Sequence, residues 1–195
     1  MTRKIVRAAA VLGLVLGAAA PAAAQVFTPP FMSPTPRNEF GVYVSSLNDL
    51  AIEGMWDRYG RGGSGMGLRA GYTNWGEGSL LLGLQVVNPV ALAGAPIGLA
   101  LTASGQAVLG GVNGGGGQVG FTAGGPIRSP DVTITPYIHP RLAVVSWPDR
   151  VDEDLRVRVL ADFGVDLDLA SGMAIRIGAN LGDGASIGVG VAFRQ

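Results

Sequence analysis

The single histidine of this 195-residue chain, His139, stands in the segment Thr135-Pro136-Tyr137-Ile138-His139-Pro140-Arg141. An imidazole beside a carboxylate can act as a general base and activate a hydroxyl. Asp162, Asp166 and Asp168 share one parity, so in an extended segment they line one face and offer that carboxylate. The competing reading of His139 is a hydrogen-bond network with no chemistry. Catalysis also needs a path for substrate, and nothing in the sequence sets the depth of His139. The structural reading is therefore preferred, no enzymatic activity is expected, and His139 stands as the one candidate catalytic residue.

Other chemistries find less support. The acidic run Asp149, Asp152, Glu153, Asp154 offers oxygen ligands but lacks the glycine and spacing of a calcium loop, so it reads as a solvated loop. The glycines 114–117 are followed by neither a helix nor a Lys-Ser/Thr pair and make no phosphate loop; they read as part of a flexible connection, 105–117. The chain has no cysteine, hence no disulfide and no thiolate metal site. Neither metal nor cofactor is expected.

The elements that must position these side chains repeat with a period of two, not 3.6. From Leu155 to Leu169, Leu155, Val157, Val159, Ala161, Phe163, Val165, Leu167 and Leu169 lie on one face. Arg156, Arg158, Leu160, Asp162, Gly164, Asp166 and Asp168 lie on the other. Ala170-Ser171-Gly172 is a tight turn, and Met173–Asn180 alternates again with Arg176 on the polar face. Asp183-Gly184 marks a further hairpin. The same rule holds around Met66–Thr73 with Arg69, and over Ser79–Val86, Ile97–Ser104, 119–123 and Val132–His139. Two shorter runs, 39–46 and 50–57, meet across Leu47-Asn48-Asp49. The segments 59–64, 105–117, 124–130 and 148–153 read as connections. About ten strands follow, with eight as the alternative if the first two runs form one bulged strand. The fold expected is all-β, a closed antiparallel up-and-down barrel without edges.

Alternation alone does not say which face meets water. The second face here is Gly, Ala, Ser and Thr with scattered Arg and Asp, as in Ser186, Gly188, Gly190 and Ala192. That face makes a poor solvated exterior and a good lining for a narrow lumen. The apolar face is continuous and almost free of charge, as about 25 Å of hydrocarbon demands. Charged residues are 14% of the chain, where soluble domains average about 25%. A transmembrane barrel is expected, with Glu53, Asp57, Arg69, His139, Arg141, Arg156, Arg158, Asp162, Asp166, Asp168 and Arg176 inside. In a narrow lumen such opposed charges should pair. Trp56, Tyr72, Trp75 and Trp147 fall near predicted strand ends, where they can form an aromatic girdle.

The closing segment Ser186-Ile187-Gly188-Val189-Gly190-Val191-Ala192-Phe193 resembles the C-terminal signature of bacterial outer-membrane β-barrels. The matching positions are Ser186, Gly188, the hydrophobic Val191 and the aromatic Phe193. Arg194-Gln195 follow, whereas the family pattern usually ends on the aromatic. The resemblance implies recognition by the barrel-insertion machinery.

The N-terminus completes the plan. Arg3, Lys4 and Arg7 precede an apolar core over 8–20, then Pro21 and Ala22-Ala23-Ala24, the anatomy of a secretory signal over 1–24 cleaved before Gln25. Residues 25–38 form a proline-rich lead, periplasmic or folded into the barrel mouth, and 39–195 the barrel. Removing three of the 14 basic residues leaves 11 against 14 acidic ones, which argues against nucleic acid as a partner. The expected protein is a monomer in the outer-membrane lipid of a Gram-negative-type cell, with a mostly occluded lumen and a structural or surface-interaction role. A small-solute channel is the alternative. A barrel enzyme using His139 and a soluble exported barrel holding an apolar ligand are weaker ones.

Overall fold

The computed structural model describes residues 30–47, 49–92, 94–146, 155–182 and 186–195. The signal segment, Gln25–Pro29 of the lead, the acidic run 149–154, Trp147 and the Asp183-Gly184 turn lie outside the described residues.

Period-two alternation becomes strand wherever it is sustained. In chain order these are β1 (Glu39–Leu47), β2 (Asp49–Tyr59), β3 (Gly65–Thr73), β4 (Ser79–Val90), β5 (Gly98–Gly110), β6 (Gly114–Gly124), β7 (Ile127–Arg128), β8 (Val132–Ser146), β9 (Arg156–Leu169), β10 (Met173–Leu181) and β11 (Ser186–Arg194). Each long strand pairs antiparallel with its sequence neighbours. β1 pairs with β11, Phe40 opposite Phe193 and Val44 opposite Val189, and so closes the barrel. The two-residue β7 pairs with β8 in the register that β6 already keeps, so β6 and β7 are one strand interrupted at Gly125-Pro126. Ten strands therefore form the wall, and the first two runs are separate strands.

Two prolines account for irregularities in that wall. Pro126 falls in the break between β6 and β7. The β6–β8 ladder lapses opposite Pro140, which has no N–H to give. Among the turns, Gly172 takes a positive φ of 85°, which lets Ala170-Ser171-Gly172 reverse the chain in three residues. One expectation fails here. The glycine-rich stretch 105–117 is not a loop, because β5 runs to Gly110 and β6 starts at Gly114. Glycine scores as a strand breaker, yet with both neighbours already in place a strand of the wall needs backbone pairing more than side chains.

The wall has two rims. The terminal rim carries the start of β1, the end of β11, the connections 60–64, 129–131 and 170–172, and the facing ends of β4 and β5. The distal rim carries the connections 74–78 and 111–113 and the strand ends at Leu47, Ser146 and Leu181. Outward positions hold the exposed apolar side chains, among them Leu68, Leu84, Leu101, Phe121, Leu142, Phe163 and Val189. The core is the lumen, and its buried residues are largely polar or charged.

Candidate functional site: the filled lumen

Strand parity aims the sequence-predicted charges inward. Arg69, His139, Arg141, Arg158, Asp162, Asp166, Asp168 and Arg176 are all buried, as are Glu53 and Asp57. The lumen is filled in three layers, of which these charges occupy two.

The central layer is a set of paired charges. Arg69 Nη2 meets Glu53 Oε2 at 2.8 Å, and Gln106 Nε2 donates to Glu53 Oε1 at 3.2 Å. Gln85 Nε2 donates to Asp57 Oδ1 at 2.8 Å. Arg141 grips Asp162 with two donors, Nε to Oδ2 at 2.7 Å and Nη2 to Oδ1 at 2.9 Å, and also donates to Gln118. Gln118 in turn donates to Ser104 Oγ at 2.6 Å. A charge left unpaired in such surroundings costs several kcal/mol, so the pairs keep the lumen ionic without leaving it unstable.

His139 lies in this layer, with Nδ1 2.8 Å from Asp162 Oδ2 and Nε2 2.7 Å from Thr102 Oγ1. Hydroxyl, imidazole and carboxylate are thus in the order of a nucleophilic relay. Two features oppose that chemistry. Asp162 is already gripped by Arg141, and Thr102, His139 and Asp162 are all buried within the filled lumen. The Asp162 carboxylate can only accept, so Nδ1–H donates to it, and Nε2 shares a second hydrogen bond with the Thr102 hydroxyl. Thr102 carries no motif; only its inward parity on β5 makes it legible.

The distal layer is apolar. Ala51, Leu81, Val108, Ala143, Val145 and Leu160 pack together inside the distal rim, and Trp75 and Val112 fold onto them from the connections. Trp75, in the short 3-10 turn Trp75–Glu77, is therefore a stopper residue rather than part of a lipid-facing girdle. A tryptophan outside the alternating run obeys no parity, which is why its spacing misled. Trp56 and Tyr72 do face outward, on β2 and β3, and the Arg58 guanidinium lies 5.4 Å from the Trp56 ring centroid. Arg156 has inward parity but is exposed, because β9 begins there at the distal rim.

The third layer, toward the terminal rim, is built on the N-terminal lead, whose residues Pro30–Pro34 are buried inside the barrel. Phe31 stacks on Tyr43 with ring centroids 4.5 Å apart, and Met55 completes the cluster. Arg176 reaches Glu39 Oε1 at 2.6 Å, the Tyr43 hydroxyl at 3.4 Å and the Phe31 carbonyl at 3.5 Å. Asp168 takes Arg37 from the lead and, at 2.8 Å, Arg194 from β11. Neither Phe31 nor Arg37 sits in a periodic segment, so no sequence signal marks them.

In the closing strand, Ser186 and Gly188 point into the lumen, whereas Phe193 is exposed on the outer face with Val191 on the same side.

The architecture is that of known outer-membrane β-barrels. The solved structure of the beta domain of the Bordetella autotransporter BrkA is similar at 16% identity, with a TM-score of 0.50, covering 82% of this chain and 77% of that one. The KdgM porin aligns at 7% identity and a TM-score of 0.47, covering 80% of this chain and 99% of that one. No protein-family model matches the chain, and the comparison with curated proteins finds no match. The chain has the fold of an outer-membrane β-barrel, closed by ten antiparallel strands.

Proposed function

We propose that this protein is an integral outer-membrane barrel with an occluded lumen, whose role is structural or lies in interactions at the cell surface. The inside-out distribution of its side chains carries the reading. Outward positions are apolar around the wall, while paired charges occupy the interior. A barrel in water would bury the apolar face, and one in lipid must expose it. Ten strands enclose little free space, and here that space is taken by an apolar layer, an ionic layer and the lead. Solute passage is accordingly not its task, and the buried Thr102–His139–Asp162 chain is structural. Insertion through the closing segment Ser186–Phe193 fits its resemblance to outer-membrane signatures, and the monomer suffices for closure.

Planar-bilayer conductance tests the occlusion. Purified protein reconstituted at high salt is expected to show no discrete channel steps. Stable steps that scale with protein added would reassign it as a small-solute channel.

A further inference from the structure

We propose that the lead, residues 30–38, is an internal strap that locks the barrel's closing seam between β1 and β11. The strap requires only the closed barrel, so it stands or falls apart from the membrane assignment above.

The seam joins the two ends of the chain, the pairing with the greatest sequence separation and so with a high closure entropy. Its inner surface is thin. On β1 the inward residues are Glu39, Gly41, Tyr43 and Ser45, and on β11 they are Ser186, Gly188, Gly190 and Ala192. Apart from Glu39 and Tyr43, nothing there has the volume to hold the two strands from inside. The lead supplies it. A β-carbon on Gly188 would stand 2.6 Å from the Phe31 ring and 3.2 Å from the Ser45 side chain, so the glycine is the notch that admits the ring. Phe31 then rests on Tyr43 of β1 and against β11 at once.

The polar contacts span the same seam. Asp168 on β9 receives both Arg37 of the lead and Arg194 of β11. The Gln195 N–H donates to the Asn38 carbonyl at 3.0 Å, and Asn38 Oδ1 accepts from the Tyr59 N–H at 2.6 Å. Arg176 on β10 touches the Phe31 carbonyl and Glu39 of β1. The lead itself joins no strand ladder. Pro30, Pro34 and Pro36 bring no N–H, which reduces the backbone donors to be satisfied inside. Phe31 sits at φ 50°, a conformation a bulky residue keeps only where packing imposes it. A segment without ladder bonds is held instead by the Phe31 ring, the Arg37–Asp168 clasp and the hydrogen bonds of Asn38.

The test uses amide hydrogen exchange on the full barrel in detergent, comparing the parent with Phe31→Ala and, separately, Gly188→Leu, which fills the notch and leaves the lead intact. In both variants exchange is expected to quicken about tenfold or more at seam amides (41–45 and 188–192) and to stay unchanged in β4 and β5. Uniform quickening throughout the barrel, or no change at the seam, overturns the strap. Should Gly188→Leu fail to assemble, Phe31→Ala alone decides, since it only removes volume. Loss of heat modifiability in the parent would instead count against the membrane barrel.

Discussion

Arg141 on β8 reaches diagonally to Asp162 on β9, which stands opposite His139, and the two share two hydrogen bonds, 2.7 and 2.9 Å long. Arg141 is one of the buried cations of the lumen, and its partner also anchors His139. Arg141→Met should leave Asp162 as an undercompensated buried charge and cost about 3–5 kcal/mol. Adding Asp162→Asn should recover part of that loss, so the double variant costs less than the sum of the singles. Urea unfolding in detergent micelles, followed by tryptophan fluorescence, measures all three. Strict additivity would mean that the pair does not act as a unit.

The Thr102–His139–Asp162 chain makes a sharp prediction because its geometry suits nucleophilic attack while its burial does not. Fluorophosphonate probes should leave the folded protein unlabelled. Labelling at Thr102 that disappears in His139→Ala would show a working relay and an access path, and would end the purely structural reading.

Leu84 lies exposed on the outer face of β4. In lipid, Leu84→Arg should destabilise the barrel by about 2–4 kcal/mol if the site lies near the bilayer midplane. At a water-facing site the same change would stay within about 0.5 kcal/mol. Unfolding in phospholipid vesicles distinguishes the two, and a negligible cost would place this face in water.

Three closures lie in series, the distal apolar layer, the ionic layer and the lead. Deleting residues 30–36 alone should therefore leave the bilayer silent, because Leu81, Val108, Val145 and Leu160 still fill the distal mouth. Combining the deletion with Leu81→Ser and Leu160→Ser should still give no conductance, because the Arg69–Glu53 and Arg141–Asp162 pairs keep the middle of the lumen filled, and conductance from that combination would show that the ionic layer does not seal. Conductance from the deletion alone would show that the apolar layer does not seal.

Much of this was legible in the residues. Alternation over Leu155–Leu169 and Ser186–Phe193 fixes which side chains share a face, and the scarcity of charge on one face indicates which of the two points outward. The parity of Arg69, Asp162 and Arg176 is enough to place them inside. What escaped has a common physical cause. Gly114–Gly117 is strand because its neighbours impose pairing, not because its own side chains prefer it. Trp75 and Phe31 enter the lumen from non-periodic segments, where no pattern encodes direction. Pairings such as Arg141 with Asp162 depend on register between strands, which face parity alone does not supply.

The most direct test of the whole account is outer-membrane fractionation followed by heat modifiability. Protein extracted in mild detergent is run on a denaturing gel boiled and unboiled. The account predicts recovery with the outer membrane and a distinct mobility for the unboiled form, as a closed barrel resists the detergent until heated. Recovery in a soluble periplasmic or secreted fraction without detergent would contradict it and turn the apolar face into a core or a ligand surface.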